Sequence, residues 1–493
     1  MEVKTRKVNH QLTPINLFEY KWGDFPANFK EREKDFESFL DDIWKDRPKV
    51  ENWYSDEIDE PETDKSKQRF IRFRTKEFSP RNYVGVIRYD DTEINLLPKI
   101  FYEEGKNPKD YDVENIHLHI LYWLSYNKKI QFPKSLSDLD SIKIDSFFEI
   151  LIWMFAKYTR EALNKVLYQN YHEVNQDNNY IKGRLDINGY IKNNITTGNW
   201  QRITCDYDSF DIDNRFNRII KYVSKMLLAH TENSTSQKLL YDIVFLLDDV
   251  EDTPMTLDDC DKVHLNPFYK ELNAVLDYCK LLLSNSMVYS YKDEFEVFAF
   301  LLPMEKIFED FVGGFLEENP CNSAELVKWN IQSQKPQYNL SKDPEAFTMK
   351  PDIYLTKTDD ENSKMIIDTK YKILECDDSK MGVSQPDMYQ MVSYGIRYEV
   401  KDIVLLYPSD KTYTVATSKH YKPISEFVVE DKFTICEENK DDGKKITISV
   451  HKLPIITENN KDEKRDFSYS VLRNNLDSQV SERLNKILLL EKE

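Results

Sequence analysis

The segment KPDIYLTKTDDENSKMIIDTKYK, residues 350–372, predicts a β-hairpin in the C-terminal third of the chain. Two apolar runs flank the polar stretch 356–364, which is the pattern of two strands joined by a turn. A hairpin would bring Asp352, at the start of the first strand, beside Asp368, near the end of the second. Because side chains alternate between the two faces of a strand, Asp368 and Lys370 would share a face. The sequence therefore predicts two carboxylates and an amine at one end of a sheet.

These three side chains suit the hydrolysis of a phosphodiester. Mg²⁺ takes oxygen ligands and commonly binds through one or two carboxylates together with a phosphate group. A nearby ammonium adds positive charge where negative charge develops in the transition state. An aspartate and a lysine two residues apart are also common on ordinary strands, where they have no catalytic role. The spacing of these three residues alone leaves both interpretations open.

Two more features favour the catalytic interpretation. Glu309 lies on a predicted amphipathic helix upstream, from which its carboxylate could reach a metal held by Asp352 and Asp368. Gln390 and Tyr394 are four residues apart, so they share one face of the helix that follows the Asp368 strand. Each of these residues alone also fits an ordinary solvated position. The complete ordered set predicts a metal site with Glu309, Asp352 and Asp368 as ligands.

Length and charge limit the class of protein. A chain of 493 residues predicts two to four domains. It carries 68 Lys and Arg against 87 Asp and Glu, a formal charge of −19. Proteins that bind duplex DNA unaided are usually basic, because phosphate neutralisation supplies most of the non-specific affinity. A nucleic-acid function would therefore need local basic patches or a partner that holds the substrate.

Several other classes are excluded by missing patterns. No apolar run approaches the roughly 18 residues that cross a membrane, and the first residues, MEVKTRKVNH, predict no secretory signal. The six cysteines are never closer than 19 residues apart, which excludes CxxC zinc sites and predicts reduced thiols in a cytoplasmic protein. None of the 11 glycines has the spacing of GxGxxG, GxSxG or GxxxxGK. We therefore expect no nucleotide-binding loop in this chain.

Apolar periodicity predicts an α+β multidomain fold with a β-containing N-terminal domain, a helical middle region and a C-terminal α/β core. The predicted regions are 1–110 (mixed, with strands), 111–295 (mainly helical), 296–415 (the α/β core) and 416–493 (edge strands and a charged helical tail). The predicted helices include 145–166, 268–284, 304–316, 387–396 and 468–490. The predicted strands include 83–89, 92–100, 325–331, 349–355, 365–371 and 403–407.

The candidate residues resemble those of a known nuclease superfamily. Asp352, Asp368 and Lys370 resemble the PD-(D/E)xK motif, and Gln390 and Tyr394 match the QxxxY element of its RecB-like branch. Six strings resemble the McrC subunit of McrBC-type restriction systems, in the same order: VGVIRYDDTEINLLPKI (84–100), IKGRLD (181–186), DIDNRFNRIIKY (211–222), LLPMEKIFEDFV (301–312), DTKYK (368–372) and YQMVSYG (389–395). The resemblance spans residues 80–410, and the length of the chain favours the LlaJI-like group of these systems.

The resemblance implies a division of labour. This chain would be the PD-(D/E)xK nuclease, a Mg²⁺-dependent endodeoxyribonuclease that also accepts Mn²⁺ and cuts double-stranded DNA. A separate McrB-like AAA+ GTPase would bind GTP, recognise DNA and dock on the N-terminal region 1–110. Both the acidic charge and the missing nucleotide-binding loop fit such a partner. Arg88 and Arg184 are candidate contacts, although an ordinary surface or intramolecular arginine is the simpler interpretation of each.

Two other functions stay open at this point. The chain could be a non-catalytic adaptor that activates the GTPase, in which case it should bind no Mg²⁺ or Mn²⁺ through Asp368. It could also be a RecB-like repair nuclease that acts on DNA ends, and such an enzyme would leave a closed circle uncut. His117 and His119 lie two residues apart on a predicted helix, but nothing near them completes a set of metal ligands.

Overall fold

A computed structural model describes most of the chain. The described residues are 13–24, 33–46, 70–74, 77–89, 92–106, 113–127, 146–291, 295–318, 328–333, 338–343, 345–360, 362–374, 382–411, 431–435, 446–457 and 469–489. The chain forms two compact units, one made of residues 1–147 and 287–493 and the other of residues 148–286. The four regions expected from the sequence stay predictions.

The strands of the described residues are β1 Thr13–Phe18, β2 Gly23–Asp24, β3 Ile71–Arg74, β4 Glu77–Pro80, β5 Tyr83–Tyr89, β6 Thr92–Leu97, β7 Asn170–Asn178, β8 Arg184–Leu185, β9 Ile203–Asp211, β10 Ser286–Tyr291, β11 Phe295–Pro303, β12 Trp329–Ser333, β13 Tyr338–Lys342, β14 Glu345–Met349, β15 Ile353–Lys357, β16 Lys364–Thr369, β17 Asp402–Pro408, β18 Asp431–Ile435 and β19 Ile446–Leu453.

The helices are α1 Glu33–Asp46, α2 Val113–Leu124, α3 Phe147–Lys165, α4 Ile187–Gly189, α5 Arg215–His230, α6 Ser234–Leu246, α7 Leu257–Asp261, α8 Lys270–Asn285, α9 Met304–Glu318, α10 Gln385–Tyr398 and α11 Tyr469–Leu489. The five helices predicted from periodicity are confirmed, with ends that shift by a few residues. None of the described helices is long and apolar enough to cross a membrane.

The unit 148–286 contains a group of helices and a small sheet. Helix α5 begins after Asn214, whose side chain accepts a hydrogen bond from the backbone N–H of Asn217 and so caps the first turn. Its buried apolar residues recur at helical spacing: Phe216, Ile219, Ile220, Val223 and Leu227. Lys221 on α5 is 4% exposed, and its Nζ donates to the backbone carbonyls of Asp248 and Val250 at 3.2 and 2.5 Å. A lysine is therefore part of the packing of this unit.

Strands β7, β9 and β8 form an antiparallel sheet in this unit, within the region that was predicted to be mainly helical. The prediction missed these strands because β7 reads NYHEVNQDN, which has almost no apolar alternation. The middle region therefore combines helices with one polar sheet.

The other unit holds a five-stranded sheet in the order β1-β6-β5-β11-β10. The strands predicted at 83–89 and 92–100 are confirmed as β5 and β6, which lie antiparallel, and β1 lies parallel to β6 on its other side. Residues 90–91, between the two strands, lie outside the described residues. Helix α1 packs Phe36, Phe39 and Leu40 into the core of this sheet.

The same unit holds a six-stranded sheet in the order β12-β15-β16-β17-β19-β18. Strands β16, β17 and β19 run parallel, so their carboxyl ends lie at one edge. Met391, Tyr394 and Tyr398 of α10 pack in one core cluster with buried residues of β16, β17 and β19. Helix α9 also packs against β16. A mixed α+β fold is thereby confirmed.

One strand prediction was wrong in its continuity. The run 349–355 was expected to be a single strand, but β14 ends at Met349 and pairs with β13, whereas β15 begins at Ile353 and belongs to the six-stranded sheet. Pro351 lies in the break and has no N–H to donate to a ladder. The break places Asp352 just outside β15, at the mouth of the hairpin.

Candidate active site

The β15–β16 hairpin brings the two predicted aspartates together. Its antiparallel register pairs Ile353 with Ile367, and one further step along the register places Asp352 opposite Asp368. The predicted hairpin is therefore confirmed. Asp368 is 1% exposed and lies one residue before the end of β16.

Lys370 links Asp368 to helix α10. Its Nζ lies 2.5 Å from Oδ2 of Asp368 and donates to Oε1 of Gln390 at 3.1 Å. The Gln390 amide in turn donates to the Tyr394 hydroxyl at 2.9 Å, and that hydroxyl donates to the Lys350 carbonyl at 3.1 Å. Four of the predicted site residues thus form one continuous chain of polar contacts that returns to the residue two positions before Asp352.

Asp352 is fixed by a residue that sequence reasoning missed. The backbone N–H and the hydroxyl of Thr369 both donate to Oδ2 of Asp352, at 2.8 and 2.7 Å. Nothing in the sequence indicated this contact beyond the position of Thr369 between Asp368 and Lys370. Within the described part of the chain, both hydrogen bonds to the Asp352 carboxylate go to Oδ2, which leaves Oδ1 available to a ligand.

Burial and the repulsion between neighbouring negative carboxylates raise the pKa of Asp352 and Asp368. Burial raises the pKa of Asp352 well above its usual range, and the negative charges of Asp368 and Glu309 raise it further. Burial also raises the pKa of Asp368, although the neighbouring Lys370 ammonium opposes that shift. Burial alone would lower the pKa of Lys370, but the Asp368 and Asp352 carboxylates outweigh it and raise the pKa. A second positive charge between the aspartates would relieve this repulsion.

Glu309 lies within electrostatic range of the pair from helix α9, since its charge raises the pKa of both aspartates. Its Oε2 lies 2.8 Å from Nζ of Lys306, one turn earlier on the helix. Burial lowers the pKa of Lys306, but Glu309 and then Asp352 raise it above its usual value. Lys306 is a second cation near the aspartates, and the sequence reasoning did not include it.

The donor set fits a hard divalent cation held by two carboxylates. Among the described residues, no three His, Cys, Asp or Glu side chains form a ready-made metal cage. Oδ2 of Asp368 is buried and accepts no hydrogen bond, and Lys370 is its ion-pair partner. One or two carboxylates together with phosphate and water are the ligands that Mg²⁺ commonly takes in enzymes. The roles of Glu309, Asp352 and Asp368 as metal ligands stay predictions.

The remaining candidates have ordinary intramolecular contacts. Arg88 is 13% exposed and its Nε lies 2.9 Å from Oε2 of Glu93. Arg184 is 78% exposed and pairs with Asp206 at 3.0 Å. The two histidines of α2, at 117 and 119, are buried, and burial lowers their pKa values to about 3 and about 4. Both rings are therefore neutral parts of the core at physiological pH.

Comparison with protein families identifies the family to which the chain belongs. The family model described as McrBC 5-methylcytosine restriction system component matches residues 79–408, about two thirds of the chain. The chain therefore belongs to this family, and the resemblance to McrBC-type restriction systems is confirmed. No curated protein matches the chain.

Two solved structures are similar to it. One is described as a refined half-complex from a tetradecameric assembly of Thermococcus gammatolerans McrB AAA+ hexamers with bound McrC. It is 18% identical with a TM-score of 0.63, over 94% of this chain and 100% of that chain. The other, a cryo-EM structure of the Thermococcus gammatolerans McrBC complex, is 19% identical with a TM-score of 0.47, over 64% of this chain and 90% of that chain. The first similarity extends the shared fold over nearly the whole chain.

Proposed function

We propose that this chain is the Mg²⁺-dependent DNA endonuclease subunit of an McrBC-type restriction complex, built on a PD-(D/E)xK core. The observation that carries the proposal is the meeting of Asp352, Asp368 and Lys370 at one end of β16. Burying two carboxylates side by side is unfavourable unless a cation or a proton compensates them. A site that only supported the fold would have no need for this cluster. Membership of the restriction family supports DNA as the substrate.

Each residue of the trio has a definite task in this proposal. Mg²⁺ bound by Asp352 and Asp368, with Glu309 nearby and Mn²⁺ as a substitute, would activate water and neutralise charge on the scissile phosphate. Thr369 holds Asp352 in place through two hydrogen bonds, so the ligand geometry is set before any cation binds. The Lys370 ammonium beside Asp368 would orient the attacking water or stabilise the negative charge that develops on the phosphate.

Gln390 and Tyr394 act as supports from helix α10. Gln390 accepts a hydrogen bond from the Lys370 ammonium and so gives it a second fixed contact besides Asp368. The Tyr394 hydroxyl accepts a hydrogen bond from the Gln390 amide and donates one to the Lys350 carbonyl. Burial raises the pKa of Tyr394 above its usual value, so its hydroxyl stays protonated and available as a donor at neutral pH. The pair would orient the site and could also contact the DNA backbone.

A partner would supply the energy and most of the DNA binding. The chain has a formal charge of −19 and no glycine-rich phosphate-binding spacing. The similar archaeal structure is described as containing McrB AAA+ hexamers with bound McrC. This description supports an McrB-like AAA+ GTPase as the partner that binds GTP and loads double-stranded DNA onto this subunit.

The test is cleavage of closed circular DNA by the full chain with the McrB-like GTPase, GTP and Mg²⁺. Asp368→Asn and Lys370→Met should each lower the cleavage rate by about 100-fold or more, because each removes a charge that acts on the transition state. Asp359→Asn is the matched control, since Asp359 is exposed in the turn of the same hairpin. Wild-type rates in both site variants would refute the proposal.

The same assay separates the two alternatives. A non-catalytic adaptor would stimulate GTP hydrolysis in all variants while no DNA is cut even by the wild-type chain. An end-dependent repair nuclease would degrade linear DNA and leave the circle closed. The proposal expects linear products from the wild-type chain, and stimulation of the GTPase that persists in Asp368→Asn.

A further inference from the structure

A buried polar cluster joins the five-stranded sheet to the segment that carries Lys370. Glu19 follows β1 and is 0% exposed. Its Oε2 accepts the backbone N–H of Lys99 at 2.9 Å and the hydroxyl of Tyr371 at 3.0 Å. Tyr371 follows Lys370 directly and is 3% exposed. Residues more than 300 positions apart in the chain therefore share one carboxylate oxygen.

Lys99 also contacts Tyr371 through its side chain. Its Nζ donates to the Tyr371 carbonyl at 2.8 Å and lies 4.4 Å from the centre of the Tyr371 ring. Tyr371 is thus held at its hydroxyl by Glu19 and at its backbone by Lys99. We refer to Glu19, Lys99 and Tyr371 as the tyrosine clamp.

The backbone on either side of Tyr371 transmits this constraint to the active site. The N–H of Lys370 donates to the Leu406 carbonyl of β17 at 2.9 Å, and the Lys370 carbonyl accepts from the N–H of Lys372 at 2.8 Å. The Lys370 backbone is therefore fixed between the strand ladder and the clamped tyrosine. Its side chain has to reach Asp368 and Gln390 from that fixed point.

The cluster is costly for a purely structural anchor. Burying charged groups carries a desolvation cost that well-packed apolar residues of the same volume avoid. Oε1 of Glu19 is buried without a hydrogen-bond partner. Burial raises the pKa of Glu19 to about 7 in spite of the neighbouring Lys99, and burial also lowers the pKa of Lys99. Such a cluster favours one geometry, since any other arrangement would leave more buried polar groups without hydrogen-bond partners.

We propose that Glu19 and Lys99 are positioning residues for DNA cleavage, which hold Tyr371 so that the Lys370 ammonium meets Asp368. This inference rests on the function proposed above and adds to it a contribution from the five-stranded sheet. Glu19 follows β1 and Lys99 follows β6 of that sheet, so a change in the β1–β6 edge would alter the geometry of the cleaving centre.

Three variants of the full chain test the clamp in the cleavage assay with partner, GTP and Mg²⁺. Tyr371→Phe removes only the hydroxyl, Glu19→Leu removes the acceptor, and Glu19→Gln keeps an acceptor oxygen of the same reach. We expect kcat to fall about 10-fold or more in the first two, because a displacement of about 1 Å is enough for such a loss. KM for DNA should stay unchanged, and Glu19→Gln should recover most of the rate. Glu104→Gln, at an exposed residue, is the control.

Amide hydrogen exchange of residues 369–374 provides a readout that needs no cleavage. Tyr371→Phe and Glu19→Leu should exchange faster in this segment, whereas Glu19→Gln should match the wild type. Unchanged exchange, or an unchanged kcat in variants of an active wild type, would overturn the clamp alone. A wild-type chain that cuts no DNA would instead refute the proposed function, and the exchange rates would still decide whether the clamp positions the segment.

Discussion

Replacing Glu19 by Gln should remove a specific pH dependence of stability. Burial raises the pKa of Glu19 from 4.5 to about 7 in the folded chain. A carboxyl group with a higher pKa in the folded state stabilises fully below pH 4.5, and this contribution is lost as the pH rises through 7. At about 1.4 kcal/mol for each pKa unit, the loss is about 3 kcal/mol. Relative to the wild type, Glu19→Gln should therefore gain about 3 kcal/mol of stability between pH 4.5 and pH 8.

The groups that face Glu19 support the sign of this prediction. Lys99 opposes the shift with its positive charge, and the Tyr371 hydroxyl opposes it by donating a hydrogen bond. Glu305 adds to the shift with its negative charge. Tyr20 is also close, since burial raises its pKa and the Glu19 charge raises it further. Removal of the Glu19 carboxylate therefore takes away a buried charge that its surroundings only partly compensate.

Hydrogen exchange is the suitable assay, because two compact units need not unfold in one transition. Amides of β1 and β6 report the free energy of opening of the five-stranded sheet, and most of the predicted change falls between pH 5 and pH 8. Glu104→Gln should show the wild-type pH dependence. Parallel curves for the wild type and Glu19→Gln would refute the reasoning, as would a relative loss of stability above pH 7.

Two further predictions concern packing. Lys221→Met should lower the free energy of unfolding of the unit 148–286 by about 2 kcal/mol, because a buried carbonyl loses its donor. The control Lys225→Met, at an exposed residue, should lower this free energy by less than about 1 kcal/mol. Hydrogen exchange of the α5 amides measures both changes. Gly314→Ala should destabilise the other unit by about 1–3 kcal/mol, because a Cβ there would lie 1.8 Å from the Tyr126 carbonyl oxygen and would push α9 away. Gly313→Ala is the milder control, since its Cβ would lie 2.9 Å from the Ser333 hydroxyl, a side-chain atom that can shift at the expense of its hydrogen bond to Glu317. Calorimetry measures both variants, and an equal fall in melting temperature would contradict this account.

Local patterns were sufficient for much of the fold and of the candidate site. Two runs rich in β-forming residues predicted β5 and β6, and helical spacing predicted α9 and α10. The polar interval between two apolar runs predicted the hairpin that pairs Asp352 with Asp368. These features depend on residues close in the sequence, where periodicity and turn composition act directly.

Contacts between residues that are far apart in the sequence could not be predicted from local sequence patterns. Glu19 looks like any charged residue after a strand, and nothing near it indicates that it meets Tyr371. Simple alternation predicts that Thr369 points to the opposite face from Asp368 and Lys370. In the structure, the hydroxyl and the N–H of Thr369 both donate to Asp352, which lies outside β15. The polar strands of the second unit were missed because their pairing, and not their apolar content, defines them.

Titration of the full chain with Mn²⁺ by calorimetry, in the presence of a DNA duplex and without GTP, tests the central claim most directly. The wild-type chain should bind the ion, and Asp352→Asn and Asp368→Asn should each abolish the signal while Asp359→Asn leaves it intact. Equal binding in all four proteins, or none in the wild type, would mean that the carboxylates at the mouth of the β15–β16 hairpin do not form a metal centre.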